Sequence, residues 1–309
     1  MTLPAHYLDW QREIMGHAQK YGLDCFDVVF ELVDYERMNE VASFGGFPVR
    51  YPHWRFGMEY ERMSKSFAYG LHKIYELVIN NDPCYAYLLE GNSATDQKMV
   101  MAHVYGHCDF FKNNQWFSPT NRKMIDQMAN HGARVRRYVD RHGQEPVEDF
   151  LDVCLSIDNL IDRHSPYVKK SRSQQRDVVE DDGEALEPHK LKAHKNYLER
   201  YVNPEEVLAE ERKALAEKAA EQANKFPQKP ELDVMTFLSE HAPLEKWQQD
   251  TLNIVRDEAY YFAPQGMTKI MNEGWASYWH STIMTRDVLT DAEIIDFADN
   301  HAATMAVQP

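Results

Sequence analysis

Two histidines four residues apart, His103 and His107 in M-A-H-V-Y-G-H at 101–107, are the residues of this chain best suited to do chemistry. Side chains at i and i+4 share one face of a helix, so both imidazoles can be offered to a single metal ion. In the H-E-x-x-H arrangement of hydrolytic zinc sites a glutamate follows the first histidine and acts as general base. Here Val104 stands in that place. The pattern points to metal binding with the usual base missing. Spacing alone is weak evidence, because 14 histidines in 309 residues give about 0.6 such pairs by chance. A pair of hydrogen-bonded core histidines would look the same.

A carboxylate strengthens the case. Glu273 lies in M-N-E-G-W-A-S-Y-W-H at 271–280, an otherwise apolar and aromatic run, and shares a helical face with Ser277 and His280. A buried carboxylate needs a partner, which a metal, a histidine or an arginine would supply. His103, His107 and Glu273 make a two-histidine, one-carboxylate set of the kind that holds zinc with one position open. His280 and Tyr278 are the candidate catalytic groups beside it, His280 alternatively being an extra ligand. Glu90, Asp109 or Glu258 could stand in for the missing base. His53, in the aromatic loop Y-P-H-W-R-F-G at 51–57, joins Glu90 and Asp109 as a candidate cleft residue. Glu148 and Asp152 share a helical face, and His131 precedes the basic run at 134–137; the plain alternative for these is a surface ion-pair network.

These residues require a strand-then-helix frame. Residues 73–79 and 84–89 are β-rich runs around Asn80-Asn81-Asp82-Pro83 and are expected to form a hairpin. The second run leads through Gly91 into the helix of His103 and His107, with Ser93 or Thr95 as its cap. Helices are expected at 5–21, 24–42, 59–70, 121–142, 146–163, 244–262, 265–285 and 291–301, with a loop or extended segment at 47–58. Residues 165–188 are expected to be an exposed loop or linker, and 204–224 a charged surface helix. The fold class expected is mostly α with a small β-hairpin or sheet, in one domain over 1–309.

Composition narrows the function classes. Apolar residues make up 43% and charged residues 27%, and the formal net charge is −15. That is ordinary for a soluble globular chain and argues against a nucleic-acid partner. Cys25, Cys84, Cys108 and Cys154 have no C-x-x-C spacing, so they are expected to be reduced thiols. No leader-like N-terminus and no run of the roughly 20 apolar residues a membrane span needs is visible. A cytoplasmic location with no membrane span is expected.

Four motifs then resemble one family: G-G-F-P-V-R-Y-P-H-W-R-F-G-M at 45–58, H-V-Y-G-H-C-D-F-F at 103–111, Q-E-P-V-E-D-F at 144–150 and N-E-G-W-A-S-Y-W-H at 272–280. They are similar to the SpoVR proteins, the stage V sporulation protein R-like family, from about residue 7 to the end. The resemblance implies a role in spore-cortex formation or, in bacteria that form no spores, in a stress response with a serine protein kinase and a von Willebrand-type protein as partners. Family members are usually longer, so a C-terminal region is expected to be absent here. A more distant likeness, to zincin-type metallopeptidases, implies a zincin-like (α+β) core with His103, His107 and Glu273 as ligands and zinc as the metal. Val104 departs from that pattern and puts proteolysis by the usual route in doubt. The expectation is a divalent-metal protein and possible metal-dependent hydrolase; the alternative is a non-catalytic partner-binding protein on a degenerate metallopeptidase-like scaffold.

Overall fold

The computed structural model describes residues 3–68, 76–168, 191, 195, 199–223 and 232–305. The chain divides into two compact units, residues 1–159 with 242–309, and residues 160–241. The first carries the histidine pair. It contains α1 (Ala5–Lys20), β1 (Val28–Val33), α2 (Tyr35–Ser43), α3 (Trp54–Ala68), β2 (Glu76–Ile79), β3 (Cys84–Leu89), α4 (Ala94–Asn113), α5 (Met124–His142) and α6 (Gln144–Ser156). In the second, α7 (Glu199–Val202), α8 (Glu205–Ala223) and α9 (Val234–His241) follow a short turn at Ser165–Tyr167. The first unit then resumes with α10 (Lys246–Ile283) and α11 (Ile294–Met305). The mostly helical class with a small sheet is borne out.

The hairpin forms, and β3 also gains a parallel neighbour. The order is β1-β3-β2, with β2 antiparallel to β3 (Glu76 opposite Leu88, Ile79 opposite Tyr85) and β1 parallel to it (Val28 opposite Cys84, Val33 opposite Leu89). The helix expected over 24–42 is therefore corrected. Its first half, V-V-F-E-L-V, is β-branched and packs as a strand, and a helix begins only after Asp34, whose side chain accepts the Arg37 N–H.

Period-2 alternation sends the two faces of the sheet into different cores. Cys84, Ala86, Leu88 and Phe30 pack with α1 and α4 residues such as Ile14, Met101 and Val104. Val33, Ile79, Tyr87 and Leu89 pack with Met38, Met124, Met128 and Tyr261. Val78 belongs to the first face, and so does Glu76, two residues earlier. That alternation carries a carboxylate to the helix that holds the histidines.

Several expected boundaries move. Helix α3 starts at Trp54, inside the expected 47–58 loop, because Glu148 Oε1 accepts the Trp54 N–H at 2.9 Å. Helix α6 ends at Ser156 and not at 163. The two helices expected at 244–262 and 265–285 are one helix of 38 residues, followed by a π turn at Met284–Val288. Pro264 sits inside it without breaking it. One missing donor costs about 3 kcal/mol, which the tertiary packing of a helix this long offsets; Pro264 is itself buried. The charged helix at 204–224 corresponds to α8, and most of the expected 165–188 loop, with residues 73–75 of the first hairpin strand, lies outside the described residues. Among the described residues no helix is long and apolar enough to cross a membrane.

Candidate metal centre

Helix α4 is started by a capping box: Ser93 Oγ accepts the Asp96 N–H at 3.1 Å, and Asp96 Oδ2 accepts the Ser93 N–H. Such a box contributes about 1 kcal/mol and fixes where the helix turns begin. From that start, His103 and His107 fall on one face, their ring centroids 4.5 Å apart. The next decision is made by Gly106. A Cβ there would stand 2.7 Å from Ala276 Cα, so two small residues let α4 and α10 cross almost backbone to backbone. Asn272, Glu273 and His280 flank Ala276 on α10 and are thereby brought over the histidines.

Four side chains converge. His103 Nε2 lies 3.5 Å from Glu76 Oε1 and 3.6 Å from Glu273 Oε2. His107 Nε2 lies 3.9 Å and 3.8 Å from the same two oxygens. The donor atoms of Glu76, His103 and His107 all stand within 4.8 Å of one another. Around a four-coordinate ion with bonds of about 2.0–2.1 Å, neighbouring donors are about 3.3–3.5 Å apart. The four imidazole–carboxylate separations, 3.5–3.9 Å, are only slightly wider.

The hydrogen bonds around this set say which atoms are available. Asn272 Oδ1 is 2.9 Å from His107 Nδ1; a carbonyl oxygen only accepts, so Nδ1 carries the proton and the Nε2 lone pair faces the two carboxylates. Lone pair against carboxylate is repulsive unless a cation, or a proton on Glu76, lies between. Glu76 Oε2 is likewise buried without a hydrogen-bond partner.

Protonation follows burial. Burial pushes the Glu76 carboxyl up to about 7, with His103 pulling it down in part and Glu273 adding to the rise. Burial, then the neighbouring His103, lowers His107 to about 4. For His103 burial is the largest influence and disfavours the charged ring, but Glu76 and Glu273 together outweigh it and raise its pKa. Glu273 is held low, first by its hydrogen bond with His103. Two carboxylates and two imidazoles facing one point suit a divalent ion of the zinc, iron or manganese kind.

His280 touches this set through His103, Nδ1 to Nδ1 at 2.8 Å, and its own Nε2 is 3.0 Å from His301 Nδ1 on α11. Burial, His103 and His301 together lower its pKa to about 3. Tyr278, by contrast, is exposed and packs its ring on Trp279. Asp109 accepts from Asp24 N, Asn113 Nδ2 and Trp275 Nε1, all within 2.9 Å, and so ties α4 to α10. Glu90 is exposed, its N–H extending the β1–β3 ladder to Val33 O.

His53, Glu148 and Asp152 form a separate group at the start of α3. His53 Nε2 is 3.2 Å from Asp152 Oδ1, and Trp54 Nε1 donates to the same carboxylate. Glu258 is engaged by Arg50 at 2.5 Å and by His131 Nδ1 at 3.1 Å in a buried cluster. Arg134 and Tyr138 both bond Asp250.

Glu76, Asn272 and His301 escaped the sequence. Glu76 had a signal: a lone charge on the strand face that the hairpin register aligns with buried Leu88. His301 had none, since only the packing of α11 brings it near.

A family model described as "SpoVR like protein" matches residues 4–309. The chain is 33% identical over 307 residues to "Uncharacterized protein YcgB" of Escherichia coli (strain K12), covering 96% of this chain and 58% of that protein. It thus spans a little over half the length of that relative. No solved structure matches it. With a match from residue 4 to the last residue and a relative this similar, the chain belongs to the SpoVR-like family.

Proposed function

We propose that this chain is a divalent-metal protein in which His103, His107, Glu76 and Glu273 hold the ion, zinc being the first choice. The observation that carries the proposal is the Nε2 lone pair of neutral His107 aimed at two carboxylate oxygens, an arrangement that a cation bridging all three would satisfy. Such an ion would supply Lewis-acid polarisation of a carbonyl or phosphoryl oxygen, and metal-dependent hydrolysis is the reaction class it suits. Val104 is fully buried in the apolar core, so the position after the first histidine offers no base. Glu76 Oε2 has no hydrogen-bond partner, so one oxygen would hold the ion while the other stays available as a proton acceptor. The strand, histidine-pair helix and later glutamate helix occur in the order that a zincin-like core would have.

The expected biological setting, spore-cortex formation or a stress response with a serine protein kinase and a von Willebrand-type partner, follows from the family resemblance, and the cytoplasmic location from the cysteine pattern and the N-terminal sequence. The second reading, a metal-holding scaffold that binds partners without catalysis, draws on the same buried Val104.

Elemental analysis of purified protein tests the metal. About one equivalent is expected, lost in a His103→Ala/His107→Ala variant; a metal-free wild type whose stability is unchanged by chelator would end the proposal. Catalysis is separated from scaffolding by a Glu76→Asp variant that retains metal. Loss of function in a sporulation or stress assay supports the enzyme, and full function supports the scaffold.

A further inference from the structure

Three imidazoles from three helices are joined nitrogen to nitrogen: His103 Nδ1 to His280 Nδ1 at 2.8 Å, and His280 Nε2 to His301 Nδ1 at 3.0 Å. A neutral imidazole has one N–H and one lone pair. In a chain of neutral rings every hydrogen bond must therefore point the same way, and two polarities exist. In the outward one, His103 Nδ1–H donates to His280 and His280 Nε2–H donates to His301, which leaves the His103 Nε2 lone pair free. In the inward one, His301 Nδ1–H donates to His280, and His280 Nδ1–H donates to His103. His103 then carries its proton on Nε2, facing Glu76 and Glu273 oxygens at 3.5 and 3.6 Å.

Each polarity fits one state of the centre. The inward chain gives the carboxylates a donor when no cation lies between them. The outward chain frees the nitrogen that a cation needs. We propose that His280 and His301 are positioning residues forming a tautomeric switch, inward in the ion-free protein and outward when the ion is held. The proposal rests on the metal reading above.

The conversion balances. The His103 Nε2 proton leaves toward the site, and the His280 Nδ1 proton crosses to His103 Nδ1. The His301 Nδ1 proton crosses to His280 Nε2, and His301 Nε2 takes one proton from solvent. One proton is released and one taken up, so no ring changes charge. His301 is suited to the solvent end: it is partly exposed and stacks on Phe297. Its helix is tied to α4 by Asn300 to Asp96 at 2.8 Å and Lys98 to Glu293 at 2.7 Å. The direction of the chain thus links α11 to the affinity of a site on α4.

Nitrogen-15 NMR of the histidine rings in the full chain tests this without any variant. At alkaline pH, where all three rings are neutral, His280 is expected to carry its proton on Nε2 with Zn2+ added and on Nδ1 after chelation. The same tautomer in both states overturns the proposal. Co2+ titrations give a second test. Removing an outer partner of a ligating histidine costs about 10–100-fold in metal affinity, so His280→Leu is expected to fall in that range and His301→Leu to lose a smaller factor. His301→Asn, whose amide oxygen can accept in place of Nδ1, is expected to recover the His301→Leu loss. Leucine variants that bind Co2+ like wild type overturn the switch while leaving the metal site standing. A wild type that binds neither Co2+ nor Zn2+ removes both.

Discussion

Replacing Glu76 by glutamine should stabilise the metal-free protein and abolish its stabilisation by metal. The Glu76 side chain is 17% exposed, and its carboxyl is pushed from an ordinary 4.5 up to about 7, chiefly by burial. Each pH unit between folded and unfolded values is worth about 1.4 kcal/mol, so ionising Glu76 costs the folded chain on the order of 3 kcal/mol. That figure already nets the attraction to His103 against burial, so glutamine, which never ionises, should gain about 3 kcal/mol at pH 8. The sign follows from linkage. A raised carboxyl pKa favours the folded state fully below about 4.5, and that advantage is lost as pH rises to about 7. The variant should therefore match wild type near pH 4.5 and exceed it at pH 8. Denaturant unfolding of chelator-treated protein at both pH values measures this. With Zn2+ at 100 times its dissociation constant, wild type should gain about 2.7 kcal/mol and the variant little. A variant less stable than wild type at pH 8 without metal, or equally stabilised by Zn2+, would refute the reasoning.

Gly106→Ala should cost about 1–3 kcal/mol, the usual range for overpacking, because its Cβ would meet Ala276 Cα at 2.7 Å; thermal melts should show it, and metal binding should weaken as α4 and α10 separate. Val104→Glu should not create a general base: the site is fully buried, so it should destabilise by several kcal/mol, seen as poor soluble yield or early unfolding. Tyr278→Phe should leave metal affinity and stability unchanged within about 0.5 kcal/mol, since Tyr278 is exposed. Glu258→Gln should cost about 3 kcal/mol or more, because Arg50 would stay buried without its counter-charge.

What the sequence revealed depended on how local the signal was. The helix of His103 and His107 and its Ser93 cap lie within one segment, and both formed as the periodicity and capping rules require. Glu273 could be matched to the histidines only by residue type and motif likeness, and it is Gly106 against Ala276 that makes the match physical. The strand at 28–33 was hidden because its apolar residues also fit helical spacing up to residue 42; its pairing with β3 is parallel, so no hairpin turn announces it. The break expected between residues 262 and 265 does not occur even with Pro264 there, since local propensity yields to packing in a helix held along its length. Glu76 and His301 are long-range partners, and their roles exist only once the sheet register and the α11 packing are fixed.

Anomalous diffraction at the zinc edge, from crystals grown with Zn2+, tests the central proposal most directly. A single peak is expected about 2.0–2.2 Å from the Nε2 atoms of His103 and His107 and from oxygens of Glu76 and Glu273. No peak among these four side chains, or zinc held elsewhere while they keep their hydrogen bonds, would contradict it.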